Sequence, residues 1–167
     1  MPFDGQIGYI VGAVTALLFL WVFLRHLRAK LRRLPYFSRP YLLTKGELAF
    51  YQEMRLALPP GVLVSFKVRL SDVINCPGRA WKEGYGARIS QKHLDFVVVD
   101  AETTAVRFVV ELDDKTHRRR DRQHRDAFVD AALAAAGVPI VRVNAAASYD
   151  PARLRDLLAG GLSRAKA

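Results

Sequence analysis

Cysteine is almost missing from this chain: Cys76 is the only one in 167 residues. A lone thiol excludes an internal disulfide, and the absence of any Cys-x-x-Cys pair excludes a thiolate zinc site; both suit a reducing compartment. Charge is missing from one long stretch, and charge of one sign from a longer one. Residues Ile7 to Leu24 (IGYIVGAVTALLFLWVFL) contain no charged side chain. No acidic residue occurs between Asp4 and Glu47. Internal repeats and low-complexity tracts are also missing, which excludes a solenoid or a disordered tail protein.

What is present follows from those gaps. The uncharged run is 18 residues long. At about 1.5 Å per helical residue it spans roughly 27 Å, close to the hydrocarbon core of a bilayer. A cleaved signal peptide needs basic residues before the run and a small-x-small site after it. The order here is reversed: Asp4 precedes the run, and Arg25, Arg28, Lys30, Arg32, Arg33 and Arg39 follow it. The positive-inside rule therefore predicts a single-pass anchor with its N-terminus outside and the remainder of the chain in the cytoplasm. Tyr9 and Trp21 stand where interfacial anchors would. The basic cluster from Arg25 to Arg39 is expected to meet anionic lipid heads. It carries six of the charges behind the net +10 of the chain, so the remaining basic excess permits nucleic-acid binding without requiring it.

The domain plan expected is a tail and membrane helix over 1–24, a basic juxtamembrane linker over 25–42, a soluble domain over 43–158 and a flexible tail over 159–167. The end of the linker, LPYFSRPYL, reaches at most about 30 Å, which keeps the domain near the membrane. Within the domain the spacing predicts α-β-β-β-α-β-α. A helix is expected over 44–58, stopped by Pro59-Pro60. Alternation of Val62, Val64, Phe66, Val68 and Leu70 predicts a strand. Residues 72–90, with Pro77, Gly78, Gly84 and Gly86, read as loop. Strands follow over 93–99, 106–112 and 138–143, with a helix over 118–136 before the last strand and another over 150–158, capped by Asp150 and opened by Pro151.

The informative stretch runs from Lys92 to Arg125. A hairpin turning near Thr103 pairs positions that sum to about 206, which sets Asp95 across from Glu111. Asp113 leaves the same face two residues on. Like charges placed opposite one another destabilise a sheet, and a divalent cation is the simplest compensation. Clustered oxygen ligands suit Mg²⁺ or Mn²⁺. The plainer reading is a turn at Asp113-Asp114 neutralised by nearby Lys115 and arginines. His117 reads as a surface or capping residue, or beside three carboxylates as an acid–base group or ligand. Asp121 and Arg125 are spaced as a helical ion pair, and the arginines from Arg118 to Arg125 would also suit a phosphate backbone. Glu47 completes a capping box with Thr44, the preferred role; a fourth carboxylate for the metal is compatible with it.

The strings HLDFVV (93–98) and VELDDKTH (110–117), then Asp121, Arg125-Asp126, Gly137 and VRV (141–143), resemble a bacterial family of uncharacterised domains, domain of unknown function 2726. More distantly they are similar to the very-short-patch-repair-like endonucleases of the PD-(D/E)xK superfamily. The resemblance covers about residues 42–158. It implies a three-layer α/β/α restriction-endonuclease-like core and metal-dependent phosphodiester hydrolysis. Asp95 and Glu111 match the two acidic positions of the superfamily motif. Where that motif has lysine, this chain has Asp113, so either Lys115 or Lys92 supplies the positive charge, or Asp113 and His117 do different work. On this basis Asp95, Glu111, Asp113, Lys115 and His117 are the expected catalytic residues. Asp95, Glu111, Asp113 and Glu47 are the expected metal set, and Lys92, Arg125 and Arg142 the phosphate contacts. The alternative is a catalytically inactive module of the same fold that binds nucleic acid or protein at the membrane.

Overall fold

The computed structural model describes residues 3–31, 34–113 and 120–165, with side chains for 8–30, 34–113 and 127–165. It divides into two units, Met1–Pro40 and Tyr41–Ala167. The first unit holds α1 (Phe3–Leu31), which is long and apolar enough to cross a membrane. Its side chains are exposed from Gly8 to Lys30, so no protein core accounts for its apolar character. The Thr15 hydroxyl donates to the Val11 carbonyl at 2.8 Å, which satisfies its only polar group in the middle of the run. The helix does not stop at Leu24. Arg25, Leu27, Arg28, Ala29 and Lys30 are strong helix formers and carry it to Leu31, short of Pro35. The first seven residues of the expected linker, 25–31, are therefore helical, and the Arg25 guanidinium lies 5.4 Å from the centre of the Trp21 ring.

The second unit is a mixed α/β domain around a four-stranded sheet: β1 (Val62–Arg69), β2 (His93–Asp100), β3 (Val106–Asp113) and β4 (Ile140–Asn144), in that spatial order. The first two pairings are antiparallel and the last is parallel. The parallel pair is reached through α6 (Arg120–Ala135), since parallel neighbours need a crossover connection. Gly137 (φ 70°) follows α6, and Pro139, with no N–H to give, precedes β4. The Pro139 carbonyl accepts from Val109 N at 2.8 Å.

Each face of the sheet has its own core. Phe96, Val98, Phe108 and Val110 pack with Phe50 and Met54 of α2 (Lys45–Ala57) and with Leu154 and Leu158 of α7 (Pro151–Arg164). Leu94, Val97 and Val109 pack on the other side with Val129 and Leu133 of α6. Leu70 and Ile89 join this second core from residues read as loop or strand end. Residues 70–90 hold three short helices, α3 (Leu70–Val73), α4 (Gly78–Lys82) and α5 (Tyr85–Ser90). A helix of one turn shows no 3.6-residue period, and Pro77 and Gly84 occupy helix-start positions instead of breaking structure. At the other end α7 runs to Arg164, past the expected end at Leu158. Gly161 is buried there because a Cβ would come within 2.8 Å of the Phe108 ring. The span expected as a flexible tail thus contains, at Gly161, a close helix–sheet contact.

Candidate functional site

The turn between β2 and β3 fixes the geometry from which the site is built. Asp100 Oδ1 accepts from the N–H groups of Glu102 (3.2 Å) and Thr103 (3.0 Å), and Oδ2 accepts from Arg107 at 2.6 Å. These contacts, the Arg107 guanidinium first, hold the Asp100 carboxyl well below the usual range. Beyond the turn the strands pair Val98 with Phe108 and Phe96 with Val110, positions that sum to the expected 206. Asp95 and Glu111 occupy the next level. The backbone N–H of Leu112 donates to Asp95 Oδ2 at 3.1 Å, so the carboxylate of one strand is tied to the main chain of the other.

The β1–β2 ladder brings a residue that the motif search does not. Phe66 pairs with Phe96 and Val68 with Leu94, and between them the ladder is interrupted at Lys67 opposite Asp95. Lys67 has φ 57°, the left-handed region, which costs a non-glycine residue roughly 1–2 kcal/mol. The sheet faces exchange across this level: Phe66 and Phe96 belong to the α2/α7 core, Val68 and Leu94 to the α6 core. The strict alternation expected from Val62 through Leu70 ends here. Such strain persists where the surroundings over-determine it, and it concentrates at functional sites. The surroundings are two carboxylates. Lys67 Nζ lies 2.5 Å from Glu47 Oε1 and 3.2 Å from Asp95 Oδ1.

Glu47 comes from the first turn of α2, where it takes the capping role preferred for it and also pairs with Lys67. Its Oε2 accepts from Thr44 N at 2.8 Å, and Thr44 Oγ1 accepts from Glu47 N at 3.3 Å, a full capping box. Its other oxygen takes the lysine. Burial works against ionisation of Glu47, but the Lys67 and Thr44 hydrogen bonds outweigh it and hold the carboxyl below its ordinary value. For Lys67 burial opposes the charge, and Glu47 and Asp95 together keep its pKa above the ordinary value. Glu111 goes the other way. Burial, and then the negative charge of Asp95 beside it, push its carboxyl up to about 8. Asp95 and Glu111 form a half-buried like-charge pair, the environment in which one carboxyl keeps its proton near neutrality.

The expected four-carboxylate set is divided. Asp113 turns to Arg142 of β4, whose Nη1 lies 2.8 Å from Asp113 Oδ1 and whose Nη2 lies 2.8 Å from Asp130 Oδ1 on α6. Arg142 is thus placed between two carboxylates. Glu47 is separated from Glu111 by Lys67 and Asp95. Among the described residues no three His, Cys, Asp or Glu side chains are placed to hold one metal ion. Asp95 and Glu111 remain as a two-carboxylate site. That number fits Mg²⁺ or Mn²⁺, which bind through one or two carboxylates and keep several waters, and a cation would relieve the repulsion that raises Glu111. Lys92 precedes β2, its carbonyl accepting from Leu70 N at 2.9 Å. Lys115, His117 and the side chain of Arg125 lie outside the described residues.

Lys67 escapes sequence reading because it sits at a solvent-face position of an alternating strand. Its neighbour across the ladder is knowable only from the β1–β2 register, which no tight turn sets.

A search of curated proteins and of solved structures finds no match to this chain. The family model described as "Protein of unknown function (DUF2726)" matches residues 39–160. That span takes in the whole sheet and every residue of the site described above, and the chain belongs to this family.

Proposed function

We propose that this protein is a membrane-anchored, metal-dependent nuclease with a restriction-endonuclease-like core. The observation that carries this reading is the Asp95–Glu111 pair with Lys67 held beside it on a strained backbone. Asp95 and Glu111 would hold Mg²⁺ or Mn²⁺. The ion, when bound, polarises a phosphoryl oxygen and lowers the pKa of a coordinated water. Asp95 is oriented for this by Leu112 N–H on one oxygen and by Lys67 on the other. Lys67 fills the place of the lysine missing at Asp113: its ammonium reaches the same carboxylate from a different strand and offers charge to the phosphate. Water adds to phosphorus and gives up a proton to solvent, the P–O bond to the leaving sugar oxygen breaks, and that oxygen takes up a proton. His117 and Lys115 are the proposed proton donor and charge partner for that oxygen, with Lys92 and Arg125 holding the backbone phosphates. Arg142 and Asp113 brace β4 against α6.

The apolar helix followed by six basic residues supports a single-pass topology, N-terminus outside, with the domain on the cytoplasmic side of the inner membrane and the basic stretch against anionic lipid heads. Any nucleic acid is then met at the membrane surface.

The test is cleavage of labelled DNA and RNA by the full chain in detergent, with Mg²⁺ or Mn²⁺ against EDTA. Metal-dependent cleavage is expected in the wild type, falling at least about 10²-fold in Glu111→Ala. Cleavage that is unchanged in Glu111→Ala removes the proposal. One observation favours a second reading, an inactive nuclease-fold binding module: Asp113 stands where the motif has lysine and is already held by Arg142. Nucleic-acid binding with no affinity for either metal would favour that module.

A further inference from the structure

Trp81 lies outside both cores, yet it is held on two sides. One face of its ring rests on Gly86, where an added Cβ would fall 1.9 Å from Cε3 and 2.2 Å from Cδ2. Only glycine allows that approach. Its Nε1 donates to Asn75 Oδ1 at 2.8 Å, and the same oxygen accepts from Cys76 N at 2.8 Å, which fixes the asparagine in turn. Trp81 still keeps 41 % of its residue surface exposed, and Tyr85 at the start of α5 keeps 52 %. A tryptophan with one face seated and its edge bonded presents that exposure on the opposite face. Immobilising a large aromatic in water brings no core energy, but it removes the ordering cost of a later contact.

The surroundings are basic. From Arg69 to His93 the chain has Arg69, Arg79, Lys82, Arg88 and Lys92 against Asp72 and Glu83. Arg69 and Arg79 pair with those acids at 3.8 and 3.0 Å. Among the described residues Lys82 and Lys92 have no acidic partner, and Arg88 lies over the Phe128 ring at 4.2 Å. This segment is also the connection between the two strands that bear Lys67 and Asp95. Leu70 N bonds Lys92 O, and Arg69 pairs with His93 two levels from Lys67 and Asp95.

We propose that the face formed by α4 and α5 around Trp81 is a stacking platform for the bases of single-stranded nucleic acid, with Lys82 and Lys92 tracking its phosphates. The choice of polymer rests on the nuclease reading; the platform itself rests on Trp81, Gly86 and the surrounding charge. A fixed, open indole face recognises an unstacked base, whose π-face a duplex hides. The net positive charge favours a polyanion over an acidic-poor protein surface.

The experiment uses the full chain carrying Trp21→Phe, so that Trp81 is the only indole, in phosphatidylcholine nanodiscs with EDTA. It is titrated with an oligothymidylate of about 12 nucleotides. Saturable quenching of Trp81 emission is expected, with none from a duplex of the same length. By anisotropy, Trp81→Ala and Gly86→Ala should each weaken oligonucleotide binding about tenfold or more, and Trp81→Phe should keep affinity within about threefold. Thermal unfolding of each variant separates loss of the platform from loss of the fold. The proposal is overturned by oligonucleotide binding that leaves Trp81 emission unchanged, by Gly86→Ala and Trp81→Ala binding as the wild type does, or by no binding at all. It is equally overturned if phosphatidylserine nanodiscs alone shift the emission, which would make the platform a lipid contact. Because EDTA removes the metal, lost stacking with intact cleavage leaves the nuclease reading standing, and stacking without cleavage in Mg²⁺ leaves only the platform.

Discussion

Two charged clusters sit at the same end of the sheet, and they are balanced differently. In one, the Arg142 guanidinium lies between Asp113 and Asp130, one positive charge for two negative, with a 2.8 Å contact to each. In the other, among the described residues, Lys67 bonds Glu47 and Asp95 while Glu111 stands beside Asp95; the charge of Arg142, its partner across the β3–β4 pairing, draws the Glu111 pKa down but does not offset burial and Asp95. The planar guanidinium satisfies two carboxylates at once, and that cluster reads as a brace between β4 and α6. The lysine is a point charge that reaches two of its three neighbours, and the remaining repulsion falls on Glu111. On the proposed reading, the difference separates a structural ion network from a cation site, and the Asp113 that motif spacing assigns to the second is bonded in the first.

The comparison can be sharpened first through pH. Glu111 is an acid whose folded-state pKa, about 8, lies above its ordinary value near 4.5. The folded state therefore holds this proton more tightly than the unfolded chain does. Its contribution is intact below pH 4.5 and is lost as pH rises through 8. Chemical denaturation of the metal-free protein should show stability falling by about 1–3 kcal/mol across that window. Glu111→Gln should flatten the fall. A wild-type profile as flat as that of Glu111→Gln would mean that the pair is not under this repulsion.

Breaking the balanced cluster is the next test. Arg142→Met leaves Asp113 and Asp130 without their shared cation and should destabilise by about 1–2 kcal/mol, reduced from the cost of a fully buried pair because all three side chains are partly exposed. Metal affinity should be little changed. Loss of metal binding with intact stability would instead assign Arg142 to the site.

Lys67 gives the smallest effect and the most specific one. With φ 57°, Lys67→Gly removes backbone strain along with the ion pairs, whereas Lys67→Ala removes the ion pairs and keeps the strain. The glycine variant should be the more stable of the two by about 1 kcal/mol, and both should lose cleavage. If alanine is the more stable, Lys67 is an ordinary strand residue and its contacts with Glu47 and Asp95 are incidental.

How much of this is legible in the sequence depends on the length of each connection. The β2–β3 register can be read because a short turn capped by Asp100 fixes it, and Asp95 and Glu111 fall into place. The β1–β2 register cannot, because residues 70–92 intervene, and Lys67 is hidden with it. The capping box of Glu47 is local and readable; its second bond, to a lysine 20 positions away, is not. Residues 72–90 read as loop because three one-turn helices leave no period, and for the same reason the seat of Trp81 on Gly86 leaves no trace in spacing. The apolar run of the first helix is legible from length and composition alone, but its continuation through the basic residues to Leu31 is not.

On the proposed reading Asp95 and Glu111, without Asp113, make the cation site. This is tested most directly by Mn²⁺ binding to the full chain in detergent, followed by electron paramagnetic resonance, in the wild type, Glu111→Gln and Asp113→Asn. The wild type and Asp113→Asn should bind Mn²⁺ alike, and Glu111→Gln should lose at least about tenfold in affinity. Equal loss in Asp113→Asn and Glu111→Gln, or no binding by the wild type, would contradict it.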